Sequence, residues 1–192
     1  SMATMKVLSD SLDKYPMLDS LSRYGTLKLE SIPERLDGKS VLDIGGYDGR
    51  FALECLQRGA AKAVCLDNSE WGHYYGGTWP IPQRFPGVEY LQGDFLEWQE
   101  SYDVVLCFNV LYHTEMWLEA AAALRRLAKE TLCLSTYYAS GQDGWVSYTE
   151  TGTGFLRATP TIPGLLGGLT LAGFSQFEYK EVKDDTVVLR CR

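Results

Sequence analysis

Short, nearly continuous apolar runs recur through the middle of the chain, separated by stretches whose apolar positions fall three and four residues apart. The runs are 41–44, 63–66, 88–91, 104–108 and 132–135. Runs of this length, several apolar without interruption, predict strands of a parallel sheet covered on both faces. Between the first two, 50–58 sets Phe51, Ala52, Cys55 and Leu56 on one helical face, and Gly59 is placed to end it. Between the fourth and fifth, 115–129 carries Met116, Trp117, Ala120, Ala121, Leu124, Leu127 and Ala128 as an apolar stripe. Thr114 is the expected N-cap of that helix. Glu115 and Glu119 at its start and Arg125, Arg126 and Lys129 at its end suit the helix dipole.

The two ends of the chain read differently. Two helical patterns, 11–24 and 27–36, precede the first strand. After the fifth strand, 137–159 is polar, aromatic and glycine-rich with no clear period. Residues 162–172 predict a weak helix, diluted by Gly164, Gly167 and Gly168 at up to ~1 kcal/mol each against alanine. The runs 174–179 and 186–190 predict an antiparallel hairpin turning at Lys183-Asp184-Asp185. This order predicts an α/β fold: a Rossmann-like, doubly wound sheet, mostly parallel, with an antiparallel C-terminal hairpin. The 192 residues suit a single domain that needs no disulfide or metal staple. Residues 1–36 are expected to form an N-terminal helical lid segment on a body spanning 37–192, with Ser1-Met2 read as a tag remnant.

Chemistry collects where the predicted strands end. Asp43-Ile44-Gly45-Gly46-Tyr47-Asp48-Gly49 joins a strand to a helix through a glycine turn. In an open parallel sheet, ligands bind beyond the carboxyl ends of the strands. Gly45 permits the sharp turn and Gly49 relieves packing at the helix start, while Asp43 can accept from a ligand ammonium. Asp67-Asn68 follows the second strand, with Asp67 22 residues past Gly45. That spacing suits an acid binding the two hydroxyls of an adenosine ribose. After the third strand, Asp94 can accept from an adenine amino group and Phe95 can pack beside the base. The fourth strand ends in Phe108-Asn109-Val110-Leu111-Tyr112-His113.

With these motifs in this order, residues 27 to 177 resemble the class I S-adenosylmethionine-dependent methyltransferases. Asp43-x-Gly45-x-Tyr47-x-Gly49 matches the family's first motif, Asp67 its ribose acid, and Gly93-Asp94-Phe95 its adenine-side motif. Tyr47 departs from the pattern, standing where many members carry a second glycine. In motif wording the chain is closest to the tRNA wobble-uridine-modifying subfamily. The resemblance implies S-adenosyl-L-methionine as cofactor, held by Asp43, Gly45, Gly46, Gly49, Asp67, Asn68, Asp94, Phe95 and Asn109. It also implies that His113 faces the reacting methyl. There His113 is either a general base or a structural histidine capping the next helix.

Charge and aromatic content bear on the acceptor. Eighteen basic against 25 acidic residues leave a net charge of −7, which disfavours a nucleic acid as principal partner. Arg125 and Arg126 read as a solvated pair on the far face of their helix. Trp71 and Tyr75 follow the second strand, and Trp145 and Tyr148 the fifth. With Tyr24 and Tyr112, they are candidate substrate contacts, roofing a pocket for a flat or apolar molecule. The expected reaction is methylation of an oxygen or nitrogen on a small, aromatic-containing acceptor. The alternatives are a wobble-uridine-type RNA-modifying enzyme and a non-catalytic cofactor-binding regulatory module. The five cysteines form no C-x-x-C pair and no metal pattern with His73 and His113, which points to a reducing cytoplasm. No apolar run is long enough to span a bilayer and no signal-peptide pattern opens the chain.

Overall fold

The computed structural model describes residues 23–68, 83, 85–144, 146–150, 156–182 and 185–192. Its elements run α1 (Arg23–Ser31), β1 (Ser40–Ile44), α2 (Arg50–Gln57), β2 (Lys62–Asp67), β3 (Glu89–Gln92) and β4 (Tyr102–Phe108). A 3-10 turn (Leu111–His113), α3 (Trp117–Leu127) and β5 (Ala128–Tyr137) follow. The chain closes with β6 (Val146–Glu150), β7 (Leu156–Pro160), α4 (Ile162–Ala172), β8 (Glu178–Val182) and β9 (Thr186–Cys191). Seven strands form one sheet in the order β3-β2-β1-β4-β5-β9-β8, parallel from β3 to β5 and antiparallel beyond. The strand order reverses between β1 and β4, so their carboxyl ends frame a crevice.

Alternation along each strand sorts side chains into two cores. Leu42, Ile44, Val64, Leu66, Val105 and Leu132 point to the face covered by α3 and α4. Val41, Ala63, Cys65, Val104, Leu106, Phe108 and Cys133 point to the other, against Ala52 and Cys55 of α2 and against Ile32 and Leu36, which follow α1. α1 itself lies along β5, β8 and β9. Among the described residues, no helix is long and apolar enough to cross a membrane.

Several elements differ from the sequence pattern. The 27–36 pattern becomes the end of α1, which stops at Ser31 ahead of Pro33, a residue without a backbone donor. The 11–24 pattern lies mostly outside the described residues. α3 is shorter at both ends than 115–129. Thr114 does not cap it: its hydroxyl donates to the Leu111 carbonyl (2.7 Å) and closes the 3-10 turn. At the other end Ala128 pairs with Tyr102, so the chain passes from helix to strand without a loop and Lys129 is a strand residue. Residues 137–159, which show no period, contain the paired strand β6 and most of its partner β7. This ribbon packs β7 on the 3-10 turn and α4; its alternation, Val146 and Tyr148 in β6 and Leu156, Ala158 and Pro160 in β7, spans only five residues per strand within a polar, glycine-rich stretch. β8 begins at Glu178, not 174, because Phe174 is spent filling the core.

Candidate active site

The site begins with the turn after β1. Gly45 has φ +65° and its N–H donates to the Leu66 carbonyl (2.8 Å), carrying the β1–β2 ladder one residue further. A side chain at Gly45 would run into Val110. A Cβ at Gly46 would lie 2.5 Å from Asp43 Oδ2 and 2.9 Å from Cys65 Sγ. Both positions therefore demand glycine for space, and Gly45 also for its backbone. Tyr47 adopts φ +50°, the left-handed conformation, which explains why glycine suits this position elsewhere. Its N–H donates to Asp67 Oδ2 (3.1 Å), which ties the turn to the tip of β2.

Below the turn, Arg50 grips Asp48 through Nε to Oδ1 (3.0 Å) and Nη2 to Oδ2 (2.7 Å), with side chains 3% and 1% exposed. The Tyr90 hydroxyl donates to the Asp48 carbonyl (2.8 Å), bringing β3 into the same knot. The loop is thus braced from beneath by a buried ion pair that the sequence pattern did not single out.

Above the strand ends lies a cavity of about 420 Å³, within the range of small-molecule and cofactor sites. Gly45, Asp67, Asn68, Asp94, Phe95 and His113 line it, as the sequence pattern expects. Ile44, Gly93, Leu96 and Val110 add wall, and Thr114, Glu115, Met116 and Glu119 complete it. Glu115 and Glu119 enter because α3 starts only at Trp117, leaving 114–116 as a rim. The sequence pattern reads both only as the acidic start of the helix and does not place them in the site. Asp43, Gly46, Gly49 and Asn109 lie beneath or beside the cavity rather than in its wall. Asn109 takes φ +62°, its N–H donates to the Ser135 carbonyl (3.0 Å), and the Ser135 hydroxyl donates to its Oδ1 (3.3 Å).

The remaining candidates scatter. The His113 ring lies 4.0 Å from the Tyr112 ring, tilted by 44°, and Tyr112, buried, meets Tyr137 edge-on at 4.7 Å. Tyr148 is exposed on β6. Trp71, Tyr75, Trp145 and the side chain of Tyr24 lie outside the described residues. Arg125 is partly buried and Arg126 exposed, and both are engaged with backbone carbonyls. Arg125 donates to the carbonyls of Gly173 (3.2 Å) and Ala128 (2.8 Å). Arg126 Nη2 donates to those of Leu96 (2.9 Å) and Trp98 (3.1 Å), clasping α3 to the loop that carries Asp94 and Phe95.

Burial dominates the electrostatics. It pushes the Asp67 carboxyl up to about 6, against the opposing N–H groups of Tyr47 and Asn68. Asp67 still ionises near neutrality and, with each oxygen taking one N–H, retains lone pairs for two hydroxyls. Asp43 is raised further, to about 8, by deeper burial, with the Ala52 N–H opposing. A site of this kind, with acids after β2 and β3 and no Lys or Arg in its described wall, accepts hydroxyls and cationic groups.

A family model for the methyltransferase domain matches residues 14–159. The chain belongs to the methyltransferase-domain family. S-adenosyl-L-methionine is accordingly its cofactor and methyl transfer its class of reaction, and the acids lining the cavity fit that cofactor's hydroxyls and positive charge. Over 171 residues, 83% of its length, the methyltransferase is 28% identical to a tRNA U34 carboxymethyltransferase of Methylococcus capsulatus. It spans 52% of that protein. Its fold matches an S-adenosylmethionine-dependent methyltransferase from Mesorhizobium loti at TM-score 0.67 and 17% identity, covering 88% of this chain and 96% of that one. It also matches the Burkholderia thailandensis 1,6-didemethyltoxoflavin-N1-methyltransferase, solved with 1,6-didemethyltoxoflavin and S-adenosylhomocysteine bound. That match has TM-score 0.66 and 17% identity over 99% of this chain and 86% of the other.

Proposed function

We propose that this methyltransferase methylates an oxygen or nitrogen of a small, aromatic-containing acceptor. In this reading Asp67 holds the ribose hydroxyls, Asp94 and Phe95 take the adenine, and Asp43 beneath the glycine turn faces the amino-acid end of the cofactor. When bound, S-adenosylmethionine supplies an electrophilic methyl on a good leaving group. Placing the acceptor in line is then most of what the protein must do. His113, in the cavity wall beside Glu115, is positioned to take a proton from an acceptor hydroxyl or ammonium.

The cavity wall is the observation that supports a small acceptor. Asp67, Asp94, Glu115 and Glu119 line it without a described Lys or Arg, which repels phosphate-bearing substrates. The second reading, a wobble-uridine-type RNA-modifying enzyme, is favoured by the likeness to the tRNA U34 carboxymethyltransferase. Radiolabelled S-adenosylmethionine offered with a panel of aromatic metabolites and with total tRNA separates the two. Label in a metabolite supports the first reading, and label in tRNA alone replaces it with the second. Cofactor placement is tested by Asp67→Ala, which removes charged hydrogen bonds worth ~1.5–3 kcal/mol. S-adenosylhomocysteine should then bind about tenfold more weakly or worse, and unchanged affinity in a folded variant removes the assignment.

A further inference from the structure

The chain bends sharply where β4 ends at the cavity, and one residue of β5 holds the bend. Asn109 takes φ +62°, a left-handed conformation that costs free energy in residues other than glycine unless their surroundings fix it. Ser135, the register partner of Phe108, is fully buried and meets Asn109 three times. Its carbonyl accepts the Asn109 N–H (3.0 Å), its hydroxyl oxygen accepts the same N–H (3.2 Å), and its hydroxyl donates to Asn109 Oδ1 (3.3 Å). The bend in turn sets the residues that follow. Val110 lies so close to the glycine turn that a Cβ at Gly45 would run into it. The Val110 carbonyl accepts the His113 N–H (2.9 Å) across the 3-10 turn. Val110 and His113 both line the cavity.

We propose that Ser135 is a positioning residue for the methyl-transfer site. Its hydroxyl keeps Asn109 left-handed, and through that bend it seats Val110 over Gly45 and sets His113 in the cavity wall. This rests on the reading of the cavity as the cofactor site. Ser135 itself is not among the described residues of the wall, so it acts through Asn109. The sheet ladder alone does not do this. The bond from the Asn109 N–H to the Ser135 carbonyl extends the β4–β5 pairing by one residue and leaves the side-chain torsion unset. The hydroxyl engages the residue at its backbone donor and at its side-chain acceptor, so the backbone bend and the carboxamide are fixed together. A serine hydroxyl has one hydrogen to give and lone pairs to receive, and this arrangement uses both. At a fully buried serine neither bond has water as a competitor. Asparagine tolerates the left-handed region better than most residues, so the two residues suit each other across 26 positions of chain.

The test is calorimetric titration of S-adenosylhomocysteine with Ser135→Ala, Ser135→Thr, Asn109→Gly and the variant combining Ser135→Ala with Asn109→Gly, each checked for folding by thermal melting. Asp67→Ala is titrated alongside. The His113 imidazole resonance is followed by NMR, and His113→Gln distinguishes it from that of His73, the other histidine. Ser135→Ala keeps the ladder bond and loses both hydroxyl bonds. It should weaken binding about fivefold and shift the His113 resonance. Ser135→Thr, which keeps a hydroxyl, should restore most of both. Glycine adopts the left-handed bend unaided, so adding Ser135→Ala to Asn109→Gly should cost no more than about twofold further. An equal loss from Ser135→Ala in both backgrounds overturns the route through Asn109. A lower melting temperature with unchanged affinity and an unmoved His113 resonance, while Asp67→Ala still weakens binding, makes Ser135 merely structural and overturns the proposal. No effect of Asp67→Ala overturns instead the reading of the cavity on which the proposal rests. Should Ser135→Ala not fold, Ser135→Cys, with its weakly bonding thiol, carries the same comparison.

Discussion

The two faces of the sheet are built from the same kind of strand but do different work. The face under α3 and α4 is closed by Trp117, Ala120, Leu124 and Leu127 against Leu165 and Leu169, and its helices carry no buried charge among the described residues. The face under α2 buries Asp43, Asp48, Arg50 and Glu54, with Lys28 of α1 at its upper end. One face is a packing surface. The other trades stability for charges placed beneath the ligand turn, where desolvated groups interact more strongly than they do in water.

Breaking the charged face should have the largest effect. Arg50→Met leaves the Asp48 carboxylate buried without its partner and should remove ~3–5 kcal/mol of stability, read from urea denaturation. It should also weaken S-adenosylhomocysteine binding, because the turn loses its brace. The matching cut on the apolar face, Leu124→Ala, should cost about 3 kcal/mol through the cavity it opens while leaving cofactor affinity within about twofold. Equal losses of affinity in the two variants would erase the distinction between the faces.

Asp67→Asn sharpens the comparison through pH. Burial raises the Asp67 carboxyl from 3.8 to about 6, so the folded state holds its proton more tightly than the unfolded chain does. Its favourable contribution is complete below about pH 4 and lost as pH rises through about 6. Between pH 4 and 7.5, stability of Asp67→Asn relative to wild type should shift by ~2–3 kcal/mol in the variant's favour. Parallel pH–stability curves would show Asp67 to be ordinary. The smallest effect belongs to the one polar clasp near the apolar face. Arg126→Ala removes two exposed hydrogen bonds to the Asp94 loop, worth about 1 kcal/mol, read as about a fivefold loss of S-adenosylhomocysteine affinity.

Much of the sheet was legible because its strands are buried on both faces and read as apolar runs. The cofactor side of the site was legible for a related reason: each strand ends in a turn residue or an acid at a fixed spacing, Gly45, Asp67 and Asp94 in order. The β6–β7 ribbon was not, since its alternation of Val146 and Tyr148 with Ser147 and Thr149, and of Leu156, Ala158 and Pro160 with Arg157 and Thr159, lasts only five residues in each strand. The role of Thr114 was not either, because its hydroxyl donates back to the Leu111 carbonyl of the 3-10 turn instead of capping the helix ahead of it. Arg126 read as solvated for want of any local partner. Its partners, Leu96 and Trp98, lie 30 and 28 residues away.

Local chemistry alone thus determined the order of strands and helices, the glycine turn and the acids at the strand tips. These depend on periodicities of two and 3.6 and on backbone freedom at single residues, all written in neighbouring positions. Only the tertiary structure decided which distant groups meet: Arg126 with the carbonyls of Leu96 and Trp98, and the Glu115–Glu119 rim with Asp67. Such meetings depend on how separate elements dock, and docking is set by burial of whole faces rather than by any short stretch of residues.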